Sequence, residues 1–240
     1  MEGSRRRRVA IVALAGVVAA ACVALGLWQL QRLSDRRARN AAIERQRSRD
    51  PLPVTSGSAD EAPPPAYTPV RASGTYDAEH EVLVYGRAFD GRSGHWLVTP
   101  LVFDDGSAAL IVRGWVPFTY QRAPVADAAP PTGEVTIRGF LVPDEGDGST
   151  EPDADHVIGR VDVQGIGSSL LSPVYPSPIQ LTEQSMPQPG DLPLPIGWPE
   201  LSEGPHLSYA FQWFSFATIA VVGAFVLLRR ERRGPRPPAT

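Results

Sequence analysis

The sequence predicts an α+β membrane protein in which two transmembrane helices, one at each end, flank a β-rich antiparallel extracytoplasmic domain. Three observations predict it: a charge-free run from Val9 to Leu30, a second from Leu207 to Leu228, and between them short strand-like pieces punctuated by turn residues. The overall composition, 42% hydrophobic and 20% charged, is ordinary for a globular chain and conceals this segregation. A helix rises about 1.5 Å per residue, so each run reaches about 33 Å, enough to cross a hydrocarbon layer of about 30 Å.

The first run follows Arg5, Arg6, Arg7 and Arg8. A signal peptide shares this pattern, and Ala19-Ala20-Ala21 before Cys22 would be its cleavage site. The run continues apolar through Trp28, however, and exceeds a typical signal core, so an uncleaved anchor is expected. The second run opens with Tyr209, Gln212 and Trp213, suited to a membrane interface, and ends almost purely aliphatic from Ile219 to Leu228. Five Arg follow it, Arg229, Arg230, Arg232, Arg233 and Arg236. Basic ends stay inside, so both termini are expected in the cytoplasm. Seven Arg after the first run, from Arg32 to Arg49, oppose nine at the two ends, so the second span carries the orientation.

The expected order is a cytoplasmic N-terminus (1–8), a first span (9–30), a basic juxtamembrane helix (31–49), a Pro-rich linker (50–66), the β-rich domain (67–206), a second span (207–228) and a basic cytoplasmic tail (229–240). The basic helix reads as a solvated face near anionic lipid headgroups, or as a docking surface. Strands are expected at Val70–Tyr76, Glu81–Phe89 and Glu134–Val142, and a last one at Val174–Leu181. Gly94–Phe103 and Ala108–Val116 form a hairpin around Asp104-Asp105-Gly106, where glycine supplies the positive φ. Pro100 makes its first arm an edge strand or a bulged one. Pro143–Asp155 is a long acidic loop, and Met186–Pro199, with five prolines, cannot be helix.

From Asp50 to His206 there are 22 acidic residues and seven Arg, net −15, which excludes nucleic acid as a partner. The single cysteine, Cys22, excludes an internal disulfide and any paired-cysteine metal site. No phosphate loop, dinucleotide fingerprint, zinc-protease motif or nucleophile elbow is present, so no enzyme is expected and no catalytic residue is assigned. His80, His95 and His156 read as surface or turn histidines. His206 opens the second span beside Tyr209 and Trp213, where an imidazole either anchors the helix end or ligates a haem iron.

Three motifs in order carry a resemblance. Leu25-Gly-Leu-Trp28-Gln29-Leu-Gln-Arg32 is similar to the opening signature of the surfeit locus protein 1 family. Gly94-His-Trp-Leu-Val-Thr99-Pro100-Leu101, with Arg113-Gly114-Trp115-Val116-Pro117, resembles its central motif, and Pro205-His206-Leu-Ser-Tyr209-Ala-Phe-Gln-Trp213-Phe its closing one. The chain departs from the family pattern at Val112, Arg36 and Gly204-Pro205. The resemblance implies a cytochrome c oxidase assembly factor, a chaperone that assists delivery of haem a to subunit I alongside the haem a synthesis machinery. It places a haem ligand at His206; read from the residues, Tyr209 and Trp213 offer that ligand site an aromatic contact surface. Read from the residue alone, Arg113 is a paired or exposed charge or a propionate clamp. The alternative function is a cofactor-free extracytoplasmic scaffold or binding module held by two spans.

Overall fold

The computed structural model describes residues 2–58, 62–170 and 172–232. The chain runs α1 (Glu2–Arg47), β1 (Leu52–Pro53), β2 (Pro69–Tyr76), β3 (Val82–Phe89), β4 (Arg92–Val102), β5 (Ala108–Pro117), β6 (Glu134–Leu141), β7 (Val157–Ile158), α2 (Val163–Gly167), β8 (Ile179–Gln184) and α3 (His206–Arg232). It divides into two compact units, residues 1–42 with 201–240, and Ile43–Glu200. Part of the expected linker (59–61) and most of the expected tail (233–240) lie outside the described residues.

In the helical unit α1 and α3 run antiparallel: Arg37 meets Glu203, Gln29 meets His206, and Gly26 lies against Phe214. The shielded positions are Cys22, Gly26 and Leu33 on α1, and Ala210 and Ala217 on α3. Their four- and seven-residue spacing is that of a helix–helix seam. A Cβ at Gly26 would sit 2.7 Å from the Phe214 ring, so the small residue permits the close approach. Val12, Leu14 and Val17 on α1, and Phe211, Ile219 and Val222 on α3, are exposed. Among the described residues these two helices are long and apolar enough to cross a membrane. The polar extension of α1 does more than meet solvent: Arg37 holds Glu203 through two bonds of 2.8 Å, Arg36 Nε donates to Ser202 O, and Asn40 donates to Leu201 O.

In the second unit β2, β6, β8, β5 and β4 pair in turn, and β4 returns to β2, which closes a five-stranded barrel. Only β5 and β8 within that ring are parallel. Alternate residues point inward, as the period of a strand requires: Val70 and Ala72, Val135 and Ile137, Ala109 and Ile111, and Ile179 form the barrel core. Outside it, α2 packs Val163 and Ile166 on Val84, Val98, Leu110 and Val112.

Most expected strands stand where the alternation put them. The last one moves, because Pro176 and Pro178 break the ladder: Val174 makes a lone bridge to Ala108, and β8 begins at Ile179. β1, β7 and α2, of two, two and five residues, were too short for periodicity to reveal. β4 is not an edge strand. Its pairing with β3 ends at Val98 and its pairing with β2 begins at Leu101. Pro100 O accepts from Asp77 N, so the missing N–H points into the gap between those two neighbours. The expected bulge occurs at Leu97/Val98.

The acidic loop is tied down by its own carboxylates. Asp144 accepts from the N–H groups of Gly146 and Val163, Asp153 from those of Asp155 and Val157, and the buried Asp162 from those of Gly148 and Gly165. Such acids replace missing backbone partners in a segment with no ladder. Glu145 pairs with Arg87 and accepts from Val161 N. The proline-rich strap is non-helical, as expected; Leu194 and Trp115 exchange two backbone bonds of 2.8 Å. A Cβ on Gly114 would lie 2.5 Å from Leu194 O, so only glycine lets the strap lie this close.

Burial pushes the Glu145 carboxyl up, but the bonds from Arg87 and Val161 outweigh it and hold the group below the usual glutamate range. A depressed folded value means this carboxylate adds stability above the unfolded pKa of about 4.3 and loses it as pH falls through the folded value. Thermal melting between about pH 3 and 7 should therefore show a shallower acid-side loss for Glu145→Gln than for the wild type.

Candidate functional site

The first and last motifs meet in the helical unit. Gln29 is the strongly polar residue of the first apolar run, and a polar group in such a run requires a partner. Its Oε1 lies 2.9 Å from His206 Nδ1. With the Gln29 oxygen as acceptor, Nδ1 carries the proton and Nε2 keeps its lone pair. This is the arrangement by which a second residue fixes the tautomer of a ligating histidine.

The imidazole borders an open cleft of about 540 Å³, lined also by Trp28, Arg32, Asp35, Arg36 and Arg39. Positions 28, 32, 35, 36 and 39 fall on one face of α1 by their spacing of three and four. The Arg32 guanidinium stands 5.5 Å from the Trp28 ring. Arg32 and Arg39 form no salt bridge among the described residues, so the cleft presents net positive charge. Gly204 adopts φ +70, a left-handed conformation that glycine tolerates best. Pro205 precedes the helix, and its carbonyl accepts from Tyr209 N at 3.1 Å.

Tyr209 and Trp213 do not line this cleft. Trp213 lies two helical turns beyond His206 on the same face of α3, half-buried and edge-on to Phe216, and Tyr209 is exposed. Among the described residues no group of three or more His, Cys, Asp or Glu side chains could hold a bare metal ion. A lone histidine would nevertheless suit a haem iron, because the macrocycle would supply four nitrogen ligands of its own.

The central motif lies in the barrel unit and is structural in its contacts. Trp115, 1% exposed, donates to Arg87 O and packs on Phe89. A Cβ on Gly94 would fall 2.4 Å from the Trp115 ring, so the glycine makes room for the indole. Pro117 pairs with Gly94 at the end of the hairpin. Arg113 is enclosed: Nη1 donates to Glu81 at 3.1 Å and Nη2 to Gln188 at 2.6 Å, and its side chain has no exposure. Glu81 also accepts from Thr99 Oγ1 and Val125 N. Burial lowers the Arg113 pKa against the pull of Glu81 and Tyr76, and burial raises Glu81 against its hydrogen bonds. Of the two readings of Arg113, the paired charge describes these contacts. Sequence reasoning overlooked Glu81 as its partner and Gln29 as the partner of His206. The signal for Gln29 was a lone amide in an apolar run; Glu81 had none, since 18 and 32 residues separate it from Thr99 and Arg113.

The SURF1 family matches the chain over residues 16–218. An uncharacterized SURF1-like protein of Mycobacterium bovis is 29% identical over 233 residues, covering 89% of this chain and 83% of its own. A SURF1-like protein of Rickettsia bellii is 28% identical over 211 residues, 83% of each chain. The cytochrome oxidase assembly protein Shy1 of Saccharomyces cerevisiae is 34% identical over 94 residues, 38% of this chain and 24% of its own.

Removing one partner of a buried ion pair leaves the other uncompensated. Arg113→Ala should therefore lower unfolding stability by about 3–5 kcal/mol in denaturant melts, and adding Glu81→Gln should restore part of the loss.

Proposed function

The chain belongs to the SURF1 family, and from that premise we propose that it is an assembly factor for cytochrome c oxidase that holds haem a on its way to subunit I, without catalysing a reaction. The observation that carries this reading is the 2.9 Å contact of His206 Nδ1 with Gln29 Oε1, which leaves Nε2 for a ligand, in a residue that lines a cleft with Trp28 and cationic side chains. The donor set fits the cargo. An imidazole nitrogen suits the iron, an indole suits the macrocycle, and Arg32 and Arg39 suit the propionate carboxylates. Arg36 and Gln29 hold the surrounding backbone and ring, so they orient the site rather than donate to the cargo.

In this reading both helices span the plasma membrane, both termini face the cytoplasm, and the barrel stands outside. That orientation follows from the Arg run after the second apolar run and the basic N-terminus. His206 then occupies the outer boundary of its span, where a lipid-borne cargo would be handed on.

The test is the visible spectrum of detergent-purified protein coexpressed with haem a synthesis. Wild type should carry haem a, His206→Ala should lose most of it, and Gln29→Leu should bind about tenfold or more weakly because the ring loses its orienting bond. Colourless wild-type protein would instead leave a cofactor-free scaffold, and equal haem in wild type and His206→Ala would remove His206 as the ligand.

A further inference from the structure

The barrel unit holds a second, larger cavity that neither the family nor the haem reading uses. It measures about 750 Å³, within the size range of small-ligand sites, and opens on the outer face of the barrel under the strap residues Ile196–Glu200. Its walls are aromatic: Tyr67, Phe89, Trp96, Phe140 and Trp198. Trp198 stacks on Phe140 at 4.0 Å, and Phe140 on Tyr67 at 6.1 Å. Tyr67 sits at φ +67, a conformation uncommon for a bulky side chain and one that functional sites often retain.

The charged residues that line the cavity are all acidic: Asp90, Glu145 and Glu200. Two of the protein's own guanidinium groups already rest on the walls, Arg87 at 4.1 Å from the Trp96 ring and Arg47 at 5.3 Å from that of Trp198. Arg87 is also committed to Glu145. The other two lining carboxylates, Asp90 and Glu200, form no salt bridge among the described residues. On the floor Gln180 is 2% exposed, and its Nε2 donates to Val112 O at 3.2 Å. That bond leaves the amide oxygen as an acceptor without a protein donor, in a residue that lines the cavity.

We infer that this cavity binds a small organic ammonium ion with a flat apolar body. The aromatic walls take the body and the faces that attract a cation. The ammonium N–H groups satisfy the Gln180 oxygen and the two open carboxylates. An anion would meet those same carboxylates, and a neutral apolar ligand would strip water from them and from Gln180 without offering a donor. The site lies wholly within Ile43–Glu200 and is independent of the haem reading.

The test titrates full-length protein in a non-ionic detergent with 2-phenylethylammonium, 2-phenylethanol and 3-phenylpropionate, following tryptophan fluorescence, since Trp96 and Trp198 form two of the walls. The ammonium should give a saturable change with affinity about tenfold or more above that of the alcohol, and the propionate should give none. Asp90→Asn combined with Glu200→Gln removes both open charges at exposed positions, and asparagine tolerates the φ of +50 at position 90. This variant should lose about fivefold or more in ammonium affinity while its response to the alcohol is unchanged, which shows the cavity intact. Equal affinity for the three probes, no saturable response in the wild type, or an unchanged ammonium preference in the double variant would each overturn the proposal.

Discussion

Glu81 places a carboxylate where water does not reach, and the bonds around it decide how the barrel's pieces meet. It stands just before β3 and gathers the Thr99 hydroxyl from β4, the Arg113 guanidinium from β5 and the Val125 N–H from the following loop. Arg113 passes the connection to Gln188 in the strap, which in turn donates to Ala129 O. An apolar replacement could fill the same space without the desolvation penalty, so the net stabilisation from such a network is small. Its effect is on register: any one-residue slip of β4 against β5 would leave a buried charge unpaired, which is far more costly than a lost apolar contact. The glycines at 94 and 114 belong to the same arrangement, one seating Trp115 and the other admitting the strap.

A different constraint governs the helical unit. In the membrane setting proposed above, two helices would gain little from burying apolar side chains against each other, so close packing and polar pairing would have to join them. Gly26, Ala210 and Ala217 supply the close packing, and Gln29 with His206 supplies the polar pair. One hydrogen bond therefore does two things. It links α1 to α3, and it sets the imidazole tautomer that makes the ring a candidate ligand. The basic extension of α1 holds the residues leading into α3 through Arg36, Arg37 and Asn40, so the approach to His206 is anchored at several points.

The acidic character of the chain's middle has a similar local explanation. Much of it is not a surface presented to a partner. Asp144, Asp153 and Asp162 serve backbone N–H groups in a loop with little regular structure, and Glu145 serves Arg87. Two acids that form no salt bridge among the described residues, Asp90 and Glu200, line the aromatic cavity.

Read alone, the sequence determined what depends on neighbours along the chain. The two apolar runs, the Asp-Gly hairpin, the main strands of alternating residues and the non-helical strap are all local patterns, set by side-chain period, turn conformation and proline chemistry. So was the presence of His206 at the start of α3, because a helix boundary beside an apolar run is legible from composition. Tertiary structure alone decided the partners: Glu81 for Arg113, Gln29 for His206, the gap that receives Pro100, and the strap that closes over Gly114. Each of these joins residues distant in sequence, and neither a period nor a propensity encodes which distant group will arrive. That is settled only when the strands close into a ring and the two helices meet along their seam.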